Sequence, residues 1–209
     1  MGLFNPNNTF FATLARLVDI VGLSLLWFFL SLPVITLGPA TAALYHTVVR
    51  VFREKEESVF RRYLHSFREN CRVGIPASLL CVGVGILLVY GFEIMYAHRS
   101  GLQAMAYAIY YIYMVLPLGT VCYLFPLLGR FTFGLKDLFV TAVQLALAHL
   151  PTTVVLVLVT LEVVLFSIQH LWTIFFVPVG LAWFLSLFLE RIFRKHMPAQ
   201  HEEGSIETR

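Results

Sequence analysis

The sequence predicts an all-α membrane protein: a polytopic helical bundle of five to six spans, in which the second arm is short or broken. Composition is the first reason, because 59% of the 209 residues are hydrophobic and only 13% are charged, whereas soluble domains carry roughly 25% charged residues. The mean hydropathy of +0.80 is the second. The third is the recurrence of apolar runs close to the ~20 residues that a spanning helix needs. Residues 1–189 are therefore interpreted as a single membrane domain.

The apolar runs, taken in chain order, give the predicted spans. These are residues 17–32, 40–52, 73–97, 104–128, 138–168 and 171–189. The fifth run is longer than one crossing requires, so Pro151 can kink it or its first turns can lie in the membrane interface. The first run exceeds the apolar core of a signal peptide, which is about 7–15 residues long, so we expect an uncleaved first helix. After the last run, residues 190–209 are predicted to form a polar, disordered tail.

The stretch LPVITLGPA, between the first two runs, is predicted to reverse the chain. A single helix over residues 17–52 would be about 54 Å long, which is too long for one crossing. Gly38 permits a reversal, and Pro39 suits the first turn of a new helix. We therefore expect a turn near the outer surface, formed by Pro33, Thr36, Gly38 and Pro39. This gives six spans and a cytoplasmic N-terminus; the alternative is five spans, a kinked first helix and an external N-terminus.

Basic residues predict the orientation of the bundle. Residues 50–73, residues 129–137 and the segment from residue 190 onward hold 13 of the 15 Lys and Arg residues. Short loops rich in Lys and Arg stay in the cytoplasm, so these three segments and the C-terminus are predicted to be cytoplasmic. The loop at residues 98–103 and the one around His170 then face outside.

Residues 57–72, ESVFRRYLHSFRENCR, are predicted to form an amphipathic helix on the cytoplasmic side of the membrane. One helical stripe is apolar and aromatic, and its members are Val59, Phe60, Tyr63, Leu64, Phe67 and Cys71. The arginines lie away from this stripe, as is typical of an interfacial helix in the headgroup plane of an anionic membrane. The alternative is a docking helix for a cytoplasmic partner. The residues that either role would use are Phe60, Arg61, Arg62, Tyr63, Phe67 and Arg68.

The stretch LPVITLGPATAALYHTVVR (residues 32–50), followed by VFRRYLHSFREN (residues 59–70), resembles the YesL family of bacterial membrane proteins. The family pattern P-x-x-T-x-G-P-A-T-x-A-L-Y falls on Pro33, Thr36, Gly38, Pro39, Ala40, Thr41, Ala43, Leu44 and Tyr45. Val59 departs from the pattern, because family members often carry Trp beside the first Phe of the basic segment. The resemblance covers about the first third of the chain and brings no catalytic residues. The resemblance implies a protein of the bacterial plasma membrane whose activity is unassigned. It also implies an association with carbohydrate uptake systems, so the implied partner is a carbohydrate ABC transporter or another membrane protein.

The sequence predicts neither an enzyme nor a cofactor site. It contains no H-E-x-x-H, G-x-S-x-G, P-loop or G-x-G-x-x-G motif. The three cysteines are far apart and fit no metal spacing. Basic residues close to the predicted spans favour contact with the lipid bilayer and argue against a nucleic-acid partner. The two glycines of GVGIL, residues 83–87, suit close packing of helices better than phosphate binding.

Glu93 and Glu162 are the only acidic residues well inside the predicted spans, and an acidic side chain at the centre of a span costs about 2.5–3.5 kcal/mol. Both lie near the predicted outer ends of their spans, close in sequence to His98, Arg99 and His170. One hypothesis joins these five residues in a polar cluster that binds a cation, a proton or a sugar hydroxyl. The other leaves both glutamates in contact with lipid headgroups or with Arg99.

Two functions remain compatible with the sequence. The favoured one is an accessory or interaction component of a transport system, because the middle of most spans consists of Leu, Val, Ile and Phe. The alternative is a small transporter or channel with its own polar pathway around Glu93 and Glu162. A transporter requires polar residues at several depths along one route, and the sequence offers few of them.

Overall fold

The computed structural model describes residues 9–53, 59–97 and 103–196 of the chain, and this part is all-α, as predicted. It contains seven α-helices and no strand. The helices are α1 (Thr9–Ser31), α2 (Leu37–Val48), α3 (Val59–Ala97), α4 (Gln103–Arg130), α5 (Leu135–Ala148), α6 (Leu150–Gln169) and α7 (Val177–His196). Short 3₁₀ turns precede α2 and α7, at Val34–Thr36 and Leu171–Phe175, and a π-helical turn, Val49–Arg53, follows α2.

Three helices within the described residues are long and apolar enough to cross a membrane. The qualifying segments are Val59–Ile94 in α3, Tyr113–Arg130 in α4 and Leu150–Gln169 in α6. Length and composition of this kind mark the chain as a membrane protein. The count of five to six spans stays a prediction.

The chain reverses before Gly38 rather than at Gly38 and Pro39. Helix α1 ends at Ser31, and the bend and 3₁₀ turn that follow occupy residues 32–36. The Thr36 hydroxyl lies 2.6 Å from the carbonyl oxygen of Leu30, which is one of the carbonyls that the end of α1 leaves unpaired. Gly38 and Pro39 are already helical and lie in the first turn of α2, where the missing N–H of proline removes no helical hydrogen bond.

Helix α2 is the centre of the fold, and small residues let its neighbours approach closely. Nine of its twelve residues are buried. A side chain on Gly38 would meet Ser78 of α3, and its Cβ would lie 2.7 Å from the ring of Phe125 in α4. The Gly38 N–H donates a 2.8 Å hydrogen bond to Ser78 Oγ, so a neighbouring helix satisfies an unpaired donor of the first turn. Gly38 is therefore required by close packing, which explains the glycine without a left-handed backbone.

The predicted amphipathic helix is not a separate element. Residues 59–72 form the first turns of α3 and continue without interruption into the predicted span at residues 73–97. A helix of 39 residues is about 58 Å long. The first turns pack on the rest of the chain, because Val59 and Tyr63 are buried and a Cβ on Gly22 of α1 would lie 2.7 Å from the Phe60 ring. The segment therefore packs along the bundle instead of lying apart from it as an independent interfacial helix.

The long apolar run at residues 138–168 forms two helices, with the break at His149, two residues before Pro151. Pro151 has no N–H to continue the helical ladder, so the run breaks beside it. The Thr153 hydroxyl lies 2.8 Å from the Ala146 carbonyl and 3.0 Å from the His149 carbonyl, and it satisfies oxygens that the break leaves without helical partners. Two helices stand where one crossing was predicted. The predicted orientation of the bundle in the membrane therefore rests on the positions of the basic segments alone, because the number of helices between them no longer supports it.

Helix α7 extends beyond the predicted start of the tail. It begins at Val177, six residues later than the predicted span, because residues 171–175 form a 3₁₀ turn. It continues to His196, whereas the sequence places a polar tail from residue 190. The reason is that Glu190 and Phe193 are buried against the bundle and keep the last turns of the helix in place. Residues 197–209 of the predicted tail lie outside the described part of the chain.

Candidate functional site: a buried ion pair joining three helices

Glu190 is the charged residue that the fold buries most completely among the described residues, with 3% of its surface exposed. Helix α7 places it there because its buried positions recur at helical spacing. Ser186, Leu189, Glu190 and Phe193 fall at i, i+3, i+4 and i+7, and all four are buried. Glu190 therefore occupies a position on the stripe that faces the core, where an apolar side chain would be expected.

The Glu190 carboxylate is held by residues of two other helices. Arg130, the last residue of α4, places Nε 3.1 Å from Glu190 Oε1 and donates a 3.1 Å hydrogen bond from Nη2 to Oε2. The Tyr45 hydroxyl of α2 donates a 3.2 Å hydrogen bond to Oε1. The Arg130 side chain is 9% exposed and Tyr45 is 1% exposed. The three residues, which we call the Tyr45–Arg130–Glu190 cluster, thus join α2, α4 and α7 inside the bundle.

Two aromatic residues that neighbour the cluster in sequence pack on each other. The ring of Phe131, next to Arg130, meets that of Phe193 edge to face, with centroids 5.7 Å apart. Both rings are buried. Low solvent access strengthens the attraction between the two charges and raises the penalty for leaving either one alone. Removing one partner of such a pair typically destabilises a protein by about 3–5 kcal/mol.

The surroundings of the cluster are cationic. His46 follows Tyr45 on α2, and the charges of Arg50, Arg62 and Arg130 all act on its imidazole. Within the described residues, His46 Nδ1 is buried and makes no hydrogen bond. The arrangement can hold helices in register, and with one carboxylate it offers no pair of acids for acid–base chemistry.

The polar cluster that the sequence suggests on the outer side is not joined by the described contacts. Glu93 on α3 and Glu162 on α6 are both exposed, and no hydrogen bond or ion pair links them. His170 is also exposed, and its ring stacks on Phe166 with centroids 4.6 Å apart. His98 and Arg99 lie outside the described residues. A shared site that includes all five residues therefore stays a prediction.

The residues predicted for docking or interfacial contact divide between two faces of α3. Tyr63 is fully buried, and its hydroxyl donates a 3.3 Å hydrogen bond to the Ala40 carbonyl. Phe67 is half-buried and packs against the apolar core residues around Tyr63. Phe60, Arg61 and Arg68 are exposed, and Arg62 is partly exposed. One face of this segment therefore packs inside the bundle, and the other face is exposed and available for contact with lipid or a partner.

The sequence interpretation did not identify the Tyr45–Arg130–Glu190 cluster. The sequence pattern places Arg130 in a cytoplasmic loop segment and Glu190 at the start of the tail, because neither residue lies in the middle of an apolar run. Helical spacing in LSLFLERIF carries a signal that could have found Glu190, since it places the carboxylate on the same side as Leu189 and Phe193. Its arginine partner, 60 positions away, has no local signal.

No group of three His, Cys, Asp or Glu side chains within the described part of the chain is arranged to hold a metal ion. The cysteines Cys71, Cys81 and Cys122 are all free. Cys122 is buried and lies 3.8 Å from the Thr160 hydroxyl, a contact between α4 and α6.

Comparison with known proteins gives one match. Residues 20–92 match a family model described as "Protein of unknown function, DUF624". No curated protein and no solved structure matches the chain. The matched part runs from the middle of α1 through α2 to near the end of α3, and it includes the stretch that carries the resemblance to the YesL family. Over this third of its length, the chain is similar to a family of unknown function.

Proposed function

We propose that this multi-pass membrane protein is an accessory or interaction component of a membrane transport system and carries no solute pathway of its own. One observation carries the proposal: the buried charges of the described core, Arg130 and Glu190, are consumed in one ion pair. Solute pathways need polar or ionisable groups that face a cavity at several depths. Glu93 and Glu162, the two glutamates inside the predicted spans, are instead exposed on the surface of the described bundle.

Buried hydroxyl groups add to this reasoning. Several hydroxyls of the described core donate their hydrogen bonds to nearby helical carbonyls, as Thr47 does to Ala43, Ser78 to Gly74 and Thr120 to Leu116. Side chains engaged in this way are poor ligands for a passing solute, because each would first have to break an existing bond. Their distribution favours a packed bundle that works through its surface.

The exposed face of α3 offers a surface for binding a partner protein. Beyond their own helical turns, Gly83 and Gly85 have no described atom within 4 Å of an added Cβ, so packing within the described fold does not require them. Glycine inside a helix destabilises it by roughly 0.5–1 kcal/mol relative to alanine. In membranes, small residues let a second helix approach closely. Gly83 is exposed and lies on the same face as Leu87, four residues later, so a helix of a partner protein packed on this face would account for Gly83.

The identity of the partner rests on the resemblance to the YesL family. That resemblance implies carbohydrate uptake in a bacterial plasma membrane, and we propose a carbohydrate ABC transporter as the partner. The cytoplasmic C-terminus proposed from the basic residues would place the ends of α4 and α7 on the side where such a transporter carries its ATPase subunits.

Site-specific crosslinking tests this function. A photoreactive amino acid at Leu87, on the glycine-bearing face of α3 and 72% exposed, should capture a specific membrane protein in native cells. The matched control is the same amino acid at Leu158 of α6, which is 57% exposed and has no adjacent glycine. Capture of one transporter subunit from position 87 and of lipid alone from position 158 is the expected result.

Reconstitution separates this proposal from the transporter alternative. Purified protein in proteoliposomes should catalyse no uptake of sugars or cations above that of empty vesicles. Uptake that disappears in Glu93→Gln or Glu162→Gln variants would overturn the accessory function and establish the alternative.

A further inference from the structure

An apolar groove opens on the surface of α1. It is lined by Leu17, Val18, Val21, Gly22 and Phe176, and its volume is about 380 Å³. Volumes of roughly 300–1,000 Å³ are typical of small-molecule sites. Leu17 and Val18 are 45% and 60% exposed, so the groove is accessible from outside the bundle.

The first turns of α3 border this groove. The Phe60 ring packs directly on Gly22, where a Cβ would come within 2.7 Å of it. Phe60 is nevertheless 43% exposed, and Leu64, one turn later, is 41% exposed. The apolar surface therefore continues from the groove on α1 to the available face of α3.

Arginines lie along the same two segments. Arg16 directly precedes Leu17 and is exposed, and Arg61 and Arg68 are exposed on α3. Within the described residues none of the three forms an ion pair. The acids of these segments are Asp19, which is partly buried, and Glu69, whose carboxylate lies 3.1 Å from His65. Exposed arginines therefore lie next in sequence to Leu17 of the groove and to Phe60, which packs on Gly22.

We propose that this surface binds one anionic phospholipid, with an acyl chain along the groove and the headgroup phosphate against Arg16 and Arg61. Anionic lipids bind surfaces where apolar side chains lie beside Lys or Arg, because the acyl chains contact the apolar side chains and the cations attract the headgroup. A second helix is a poorer occupant, because a helix is about 10 Å across, and four residues of α1 together with Phe176 form too narrow a trough for it. The proposal is independent of the accessory function.

Native mass spectrometry of the purified full-length protein tests the site. After delipidation in detergent, the protein is titrated with phosphatidylglycerol and, in parallel, with phosphatidylcholine. We expect one phosphatidylglycerol to bind tightly and phosphatidylcholine to bind more weakly. Arg16→Gln and Arg61→Gln should each weaken phosphatidylglycerol binding about fivefold and leave phosphatidylcholine binding unchanged.

Filling the groove with a large side chain tests whether the groove holds the acyl chain. Val18→Trp places a large ring in the groove from an exposed position, so it should keep the thermal stability of the protein and reduce binding of both lipids. Leu17→Trp serves the same purpose if Val18→Trp lowers the stability. The matched controls are Leu158→Trp, on an exposed apolar face of α6, and Lys136→Gln, an exposed cation of α5.

Three results would overturn the site. Equal lipid retention by wild type and the groove-filling variants would show annular lipid only. Equal binding of both lipids, unaffected by removal of the arginines, would exclude the anionic headgroup. A protein dimer that is lost in Val18→Trp would identify the groove as a contact between copies of the chain.

Discussion

The Tyr45 hydroxyl donates a 3.2 Å hydrogen bond to the Glu190 carboxylate, although the two residues are 145 positions apart in the sequence. Tyr45 lies on the central helix α2, and Glu190 lies on the last helix, α7. Because Arg130 holds the same carboxylate, one acidic side chain fixes the position of α7 against both α2 and α4. The consequences of breaking this arrangement can be measured.

Removing one charge of the pair should destabilise the protein strongly. Arg130→Met and Glu190→Leu, made singly, each leave the other charge buried without its partner, which typically costs about 3–5 kcal/mol. The double variant leaves no charge behind and should be much closer to wild type. Thermal unfolding of the four proteins in detergent gives the comparison. Strictly additive losses in the double variant would contradict a direct pairing of the two residues.

Tyr45→Phe should destabilise the protein less than loss of either charge. It removes one hydrogen bond to a charged group, an interaction of about 1.5–3 kcal/mol, and keeps the buried ring. Combining it with Glu190→Leu tests the contact, because a hydroxyl without its acceptor contributes nothing further through that bond. The same decrease in melting temperature from Tyr45→Phe in wild-type and Glu190→Leu backgrounds would show that the hydroxyl acts elsewhere.

Sequence patterns predicted those elements that are set by local composition. Helix α4, predicted at residues 104–128, is observed at Gln103–Arg130, because a long apolar run with polar flanks is a strong local signal for a helix. The Tyr45–Arg130–Glu190 cluster could not be predicted in the same way. Its members meet only through packing of three helices, and no local pattern encodes a contact across 60 or 145 positions.

The role of Gly38 illustrates the same limit. Glycine and proline together are typical of a turn, and the sequence therefore placed the reversal at Gly38 and Pro39. The turn lies at residues 32–36, and Gly38 is instead the point where Ser78 and Phe125 approach the backbone of α2. Close approach between distant segments leaves the same sequence signature as a turn, so structure was needed to distinguish the two reasons for a glycine.

Replacing Gly38 by alanine should destabilise the protein, because the new Cβ would overlap Ser78 and lie 2.7 Å from the Phe125 ring. Overpacking of this kind costs about 1–3 kcal/mol. Gly83→Ala is the matched control: nothing lies within 4 Å of its added Cβ, and alanine is the better helix former. Thermal unfolding should show a lower melting temperature for Gly38→Ala and an equal or higher one for Gly83→Ala. A neutral Gly38→Ala variant would contradict the close approach.

The orientation proposed from the basic residues can be tested with single cysteines and a membrane-impermeant thiol reagent. In a variant without Cys71, Cys81 and Cys122, we expect Ser100→Cys to react in intact cells. Cysteines at positions 58 and 200 should react only after the membrane is permeabilised, because 13 of the 15 basic residues lie in segments predicted to be cytoplasmic. Labelling of position 58 from outside would reverse the orientation.

Glu93 and Glu162 should behave as independent residues. Each is exposed on its own helix, and within the described contacts neither a hydrogen bond nor an ion pair joins them. Substitutions at sites that share no partner add to within about 0.3–0.5 kcal/mol, so the stability change of Glu93→Gln/Glu162→Gln should equal the sum of the single changes within that margin. A shared site with a cation between the two carboxylates would instead couple them, because the first substitution would already abolish that arrangement. Thermal unfolding in detergent, with and without added sodium or potassium, distinguishes these cases. Coupling above about 0.5 kcal/mol that depends on the cation would restore the polar cluster predicted from the sequence and favour the transporter over the accessory function.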